Sequence, residues 1–213
     1  MKQFFSIIFS LAVLSVSAQK NDPAAKALLD KVSANFKSLK SVEANYNLTV
    51  TNRAGKTAGQ KSGQLFLKGT KYKITESTME IISDGKTQWR YEPDANEVTV
   101  SKVDNSSDGI TPQKLFTNFY DKDFLYKLNG ASKVNGKAVK EIELTPTDKR
   151  KSFFKVYVYV DEAQKMIVSS KIFENSGNVY NYSMTNLKTN AALADNLFVF
   201  DKAKHPGVDV INQ

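Results

Sequence analysis

The chain has 213 residues, 41% hydrophobic and 24% charged, with a formal net charge of +8, one histidine and no cysteine. The missing cysteines exclude thiolate catalysis, thiolate metal sites and a disulfide scaffold. The lysines are scattered, without a block of roughly five like charges, so the excess reads as a solvated face or an attraction to anionic headgroups or an acidic partner. Nucleic acid is not the expected partner, because no basic cluster or binding motif is present.

Met1-Lys2 is a short positive start, Phe4 to Val16 is an apolar run, and Val16-Ser17-Ala18 has the small residues of a cleavage site. The run falls short of the ~20 apolar residues that span a bilayer. Residues 1–18 are therefore expected to be a cleavable signal peptide, with export to the periplasm. No Cys follows to carry a lipid anchor, and residues 19–213 suit one domain.

Asp22 and Pro23 form a helix start, as N-cap and first helical residue. Leu28, Val32, Phe36 and Leu39 follow as one apolar stripe, widened by Ala25 and Leu29. From Val42 the period changes to 2, with Val42, Ala44, Tyr46, Leu48 and Val50 alternating with polar residues. A turn at 52–56 leads to strands over Gly63–Lys68, Lys71–Thr75, Met79–Ser83, Thr87–Glu92 and Glu97–Val103. The central hairpin turns at Asp84-Gly85, where both residues tolerate positive φ. Thr87, Trp89 and Tyr91 then share one face, with Gln88 and Arg90 on the other. Trp89, the only tryptophan, reads either as a core residue or as part of a cavity lining.

Asp104 to Gly109 is a polar loop. Thr111-Pro112 is expected to cap a second helix bearing Leu115, Phe116 and Phe119. Asp121 to Leu128 fits a short helix or a strand. A second β run covers Lys140–Thr145, Phe153–Val160, Met166–Phe173, Val179–Leu187 and Asn196–Phe200, followed by an extended tail. About eleven strands joined by short turns imply antiparallel neighbours. A sheet of that size curls, and its apolar face needs a cover. The two helices are the available covers.

Catalytic chemistry is sparse. His205 is a lone loop histidine, there is no G-x-S-x-G, and no glycine-rich phosphate loop occurs. Asp84, Glu92, Asp94 and Glu97 gather around the hairpins but are accounted for by turns. No enzymatic activity, cofactor or metal is expected, although a hydrolase using His205 or a carboxylate stays open.

Ser83-Asp84-Gly85-Lys86-Thr87, with Trp89 and Tyr91 before Pro93, resembles the central motif of the LolA family of periplasmic outer-membrane lipoprotein carriers. Three further segments agree in order. They are Leu28–Val32 with Leu39–Ala44, Leu144-Thr145-Pro146 before Phe153–Val160, and Phe198-Val199-Phe200 with Pro206–Val210. The resemblance implies an unclosed antiparallel β half-barrel under an α-helical lid, enclosing a hydrophobic cavity. It implies a monomer that takes acylated lipoproteins from an inner-membrane exporter complex to an outer-membrane acceptor. A lipid- or peptide-sensing envelope module on the same scaffold is the alternative. The expected lining is Leu65, Leu67, Tyr72, Ile74, Ile82, Trp89 and Tyr91, with Leu28, Val32, Phe36, Phe116 and Phe119 from the lid. The family's best-studied members carry Arg-Pro where this chain has Gly69-Thr70, and that arginine latches the lid. The lid here is therefore expected to be held by its apolar stripes, without a strong polar lock.

Overall fold

The computed structural model describes residues 21–103 and 120–213. Asp22 opens helix α1 (Pro23–Ser38) as its sequence position predicts. Its carboxylate accepts from the amides of Ala24 at 2.8 Å and Ala25 at 3.4 Å. Pro23 has no amide to lose there. Ala25, Leu29, Val32 and Phe36 are buried, and Leu28 packs half-buried beside them. Each large side chain so buried contributes about 1.5–3 kcal/mol relative to exposure.

The first β run comprises β1 (Val42–Thr51), β2 (Thr57–Lys68), β3 (Lys71–Glu76), β4 (Glu80–Ser83), β5 (Thr87–Glu92) and β6 (Glu97–Lys102). A short helix, α2 (Tyr120–Asp123), precedes the second run. That run is β7 (Phe124–Val134), β8 (Lys137–Pro146), β9 (Phe153–Asp161), β10 (Met166–Glu174) and β11 (Val179–Thr189). Two 3-10 turns, Asp195–Phe198 and Lys202–Lys204, lead to β12 (Asp209–Asn212). All twelve strands form one sheet in the order β12-β6-β5-β4-β3-β2-β1-β11-β10-β9-β8-β7. The two meanders join where β1 pairs with β11, and β7 and β12 remain as separate edges, so the sheet is open.

Several expectations are corrected. The ambiguous stretch at 121–128 resolves into the end of α2 followed by β7. Asn196–Phe200 is not a strand. Asp195 is drawn onto β3 by Lys71 at 2.9 Å and Lys68 at 3.0 Å, and the tight turn after it drives Phe198 to full burial. β2 begins at Thr57 rather than Gly63. β12 pairs parallel to β6, because the tail crosses the sheet before reaching that edge. The hairpin at Asp84 also differs in mechanism. Only Gly85 has positive φ (94°), while the Asp84 carboxylate accepts from the amides of Lys86 and Thr87, both at 2.8 Å. The proposed helix at Thr111–Phe119, with Leu115, Phe116 and Phe119, lies outside the described residues.

Polar contacts fasten α1 to the sheet, so for this helix the expectation of a lid without a strong polar lock is corrected. The Leu128 amide donates to Asp22 Oδ2 at 3.0 Å, the Asp22 amide to the Tyr126 carbonyl at 3.1 Å, and the Tyr126 amide to Asn21 Oδ1 at 3.0 Å. Near the other end, Asn35 Nδ2 donates to the carbonyls of Gln164 and Lys165 at 3.2 Å. In between, the Tyr120 hydroxyl donates to Asp30 at 2.8 Å. The amides of Leu128 and Ala24 hold the Asp22 carboxyl below its ordinary range. Bonds of this kind to an ionised group are stronger than neutral ones.

Candidate functional site

Cross-strand partners point to the same side of a sheet, so the register assigns every residue to a face. On the face that carries α1, one row runs Ile81–Ile74–Leu65–Ala44 across β4, β3, β2 and β1. A second runs Leu48–Tyr182–Ser170–Val158–Ile142–Leu128 from β1 to β7. A third runs Val50–Tyr180–Ile172–Val156–Leu144–Tyr126. Toward β7–β9 these rows are buried beside α1 and α2, except for half-buried Leu128. Toward β1, β3, β4, β10 and β11 they are half-buried, with Tyr46, Leu48, Ile74, Ile81, Ile172 and Met184 forming an apolar floor.

One polar cluster interrupts that floor. The Tyr46 hydroxyl donates to Glu76 Oε1 at 2.6 Å, and Lys61 Nζ donates to Glu76 Oε2 at 3.0 Å. Tyr46 crosses β2 at Gly63, which pairs with both Tyr46 and Glu76. Any Cβ at Gly63 would collide with the Thr75 carbonyl and come within 2.9 Å of the Tyr46 ring. Burial, together with the carboxylate it faces, raises the Tyr46 phenol pKa, so at neutral pH it stays a donor. Beside this cluster lies a groove of about 440 Å³ lined by Lys61, Met79, Ile81, Arg90, Glu92 and Asp94 among others.

The expected lining divides between the two faces. Leu65, Leu67 and Tyr72 are buried, Ile74 is half-buried, and all four lie on the α1 face with Leu28, Val32 and Phe36. Ile82, Trp89 and Tyr91 point the opposite way, since Ile81, not Ile82, pairs with Ile74, and Trp89 pairs with Ile82. The β3–β4 register sets this inversion, and one residue of slip is enough to produce it. The C-terminal segment occupies that outer face. The Tyr91 ring meets Phe200 at a tilt, 5.4 Å between centroids, and His205 edge-on at 4.4 Å, while Phe198 and Val208 are buried. Trp89 thus belongs to the side covered by the tail. His205 lies between two rings, with its Nδ1 2.9 Å from the Asp201 carbonyl.

Gly69 sits in the β2–β3 turn with φ 58°, and a Cβ there would meet open space. No group of three His, Asp or Glu able to hold a metal occurs among the described residues. Sequence reasoning missed Lys61, Glu76 and the floor residues of the second meander. Gly63 inside a strand pattern was the available signal, since such a glycine often marks a close approach.

The family model of the outer membrane lipoprotein carrier protein LolA matches residues 37–201. The chain belongs to that family. Among curated LolA-family relatives, the outer-membrane lipoprotein carrier protein of Haemophilus influenzae is 31% identical over 176 residues, covering 81% of this chain and 80% of the relative. That of Legionella pneumophila (strain Lens) is 25% identical over 207 residues, covering 97% and 96%. The open LolA-like sheet recurs in solved structures. An uncharacterized conserved protein from Thermus thermophilus superposes with a TM-score of 0.62 at 11% identity, covering 89% of this chain and 99% of its own. The Mycobacterium tuberculosis lipoprotein LppX gives 0.53 at 16% identity, covering 82% and 99%. MucB gives 0.53 at 14%, covering 84% and 64%.

Proposed function

We propose that this LolA-family chain is a non-catalytic periplasmic carrier that shields the acyl chains of lipoproteins between an inner-membrane exporter and an outer-membrane acceptor. The observation that carries this reading is the half-buried apolar floor around Ile74, Ile81, Leu48 and Met184, on the same face as α1. It is continuous with the packed core, so a chain laid along it extends that core. Burying an acyl chain is worth about 0.8 kcal/mol per CH₂. The curated relatives, named as lipoprotein carriers, support the cargo class. Residues 1–18 supply the export signal in this reading.

The floor proposed here replaces part of the sequence-derived lining: Ile74 stays, Leu65, Leu67 and Tyr72 support it from the core, and Ile82, Trp89 and Tyr91 leave it. The test is mass spectrometry of material that co-purifies with the protein from the native envelope, crosslinked before lysis. Acylated lipoproteins are expected. A non-acylated envelope peptide as the sole specific partner would overturn the carrier reading in favour of a sensing module.

A further inference from the structure

We propose that the groove beside Glu76 binds the ester or amide carbonyl of an acylated ligand through Lys61 and Arg90, and discriminates against free fatty acids. The inference rests on the carrier reading and adds which end of an acyl chain the site recognises.

Glu76 is the hub. Its side chain is only 11% exposed, and its two oxygens are taken by Tyr46 and Lys61. Lys61 is 55% exposed and carries three donors, of which Glu76 receives one. Arg90 lies on the same face, opposite Ile81, and its Nε is 3.1 Å from Glu92 Oε1. The rest of its guanidinium fork offers further donors. These cations meet at the groove, beside Ile81 and Met79. A chain whose polar end sits there has Ile81, Ile74 and Leu48 ahead of it.

Charge decides which polar end fits. Two cations line the groove, but so do Glu92 and Asp94, and Glu76 stands behind Lys61. The positive charge is already balanced. A carboxylate entering would add an anion to a site with no surplus cation, whereas an ester or amide carbonyl accepts the spare N–H groups without adding charge. Gly63 and Tyr46 hold Glu76 in place, so the balance is built into β1, β2 and β3.

The test is displacement of an environment-sensitive apolar dye from the exported chain by methyl dodecanoate or by dodecanoate. It is run below micelle formation, at pH 8 and low salt. The ester is expected to compete at about tenfold lower concentration, equivalent to ~1.4 kcal/mol. Lys61→Met should weaken the ester about fivefold relative to whatever change it makes in the dye. Glu76→Gln keeps an acceptor for Tyr46 but removes a negative charge, so it should tighten dodecanoate and shrink the preference to about threefold or less. Equal affinity of the wild type for ester and acid, or variants that shift dye, ester and acid alike, would overturn the proposal. A wild type that binds no dye would overturn the carrier reading itself, and this inference with it.

Discussion

Ile81 and Ile82 are sequence neighbours on opposite faces, and truncating each in turn separates binding from stability. Ile82 is 3% exposed, between Lys73 and Trp89 of the adjacent strands. Ile82→Ala removes three carbons, about 2.4 kcal/mol of transfer free energy at ~0.8 kcal/mol each. A residual cavity brings the expected loss to about 3 kcal/mol. Native proteins hold about 5–15 kcal/mol, so the variant still folds. Ile81 is half-buried on the floor between Ile74 and Arg90, and Ile81→Ala is expected to lose only about 1 kcal/mol. Binding should reverse the order. Ile81→Ala should weaken an apolar dye about fivefold, a change of ~1 kcal/mol, while Ile82→Ala should change it less than twofold. Urea midpoints and dye titrations on both folded variants make the comparison. Loss of dye binding in Ile82→Ala with none in Ile81→Ala would refute the assignment of faces.

Two further outcomes test α1. Gly69→Arg places a side chain at φ 58°, so the urea midpoint should fall by the equivalent of about 1–2 kcal/mol. Because α1 is already fastened, the stopped-flow rate of dye uptake should stay unchanged, and a severalfold slowing would show that an arginine there reaches the helix. The second outcome is acid sensitivity. The Asp22 carboxyl is held low by the Leu128 and Ala24 amides, and that of exposed Asp30 by Lys26 and Tyr120 against a weaker desolvation that pushes it up. Both folded pKa values lie below the unfolded value of about 3.9, so their stabilisation is complete above that pH and is lost as pH falls through the folded values. Melting temperature should therefore drop below about pH 4, and Asp22→Ala should lower the neutral-pH value and flatten the acid limb. An acid limb identical to wild type would remove Asp22 from the account.

Local chemistry written in adjacent residues was legible in the sequence, and long-range register was not. Asp22-Pro23 marked the helix start, and the alternation from Val42 marked β1. The adjacent pair Asn135-Gly136 likewise makes the β7–β8 turn with positive φ at both residues, 49° and 79°. Ile82, Trp89 and Tyr91 lie on the face opposite the expected one, because period-2 patterning shows which residues share a face within a strand, not which face that is. The short β3–β4 connection sets that choice, and both Ile81 and Ile82 are apolar, so composition could not decide. Tyr46 and Glu76 were invisible as a pair because their contact passes over Gly63. Asn196–Phe200 reads as a strand until Lys68 and Lys71 are brought against Asp195, where a 3-10 turn over Asp195–Phe198 takes its place.

The way α1 is fixed bears on how a carrier could let go. On the carrier reading, one long acyl chain offers on the order of 10 kcal/mol gross, and release needs much of that offset. Swinging α1 away would break the hydrogen bonds that tie Asn21, Asp22, Asp30 and Asn35 to Tyr126, Leu128, Tyr120 and the Gln164 carbonyl, at about 1 kcal/mol or more each. It would also uncover Leu29, Val32 and Phe36, at about 1.5–3 kcal/mol apiece. The sum is comparable to the acyl term, so such a motion would nearly double the energy to be found rather than assist release. A ligand on the half-exposed floor by β3, β4 and β11 faces a different balance. One wall of contact keeps less than the full transfer free energy, and exchange along that margin leaves α1 seated. In this account α1 is the fixed side of the binding face, and the free energy of cargo retention is set by how much of Ile74, Ile81, Leu48 and Met184 the acyl chain covers.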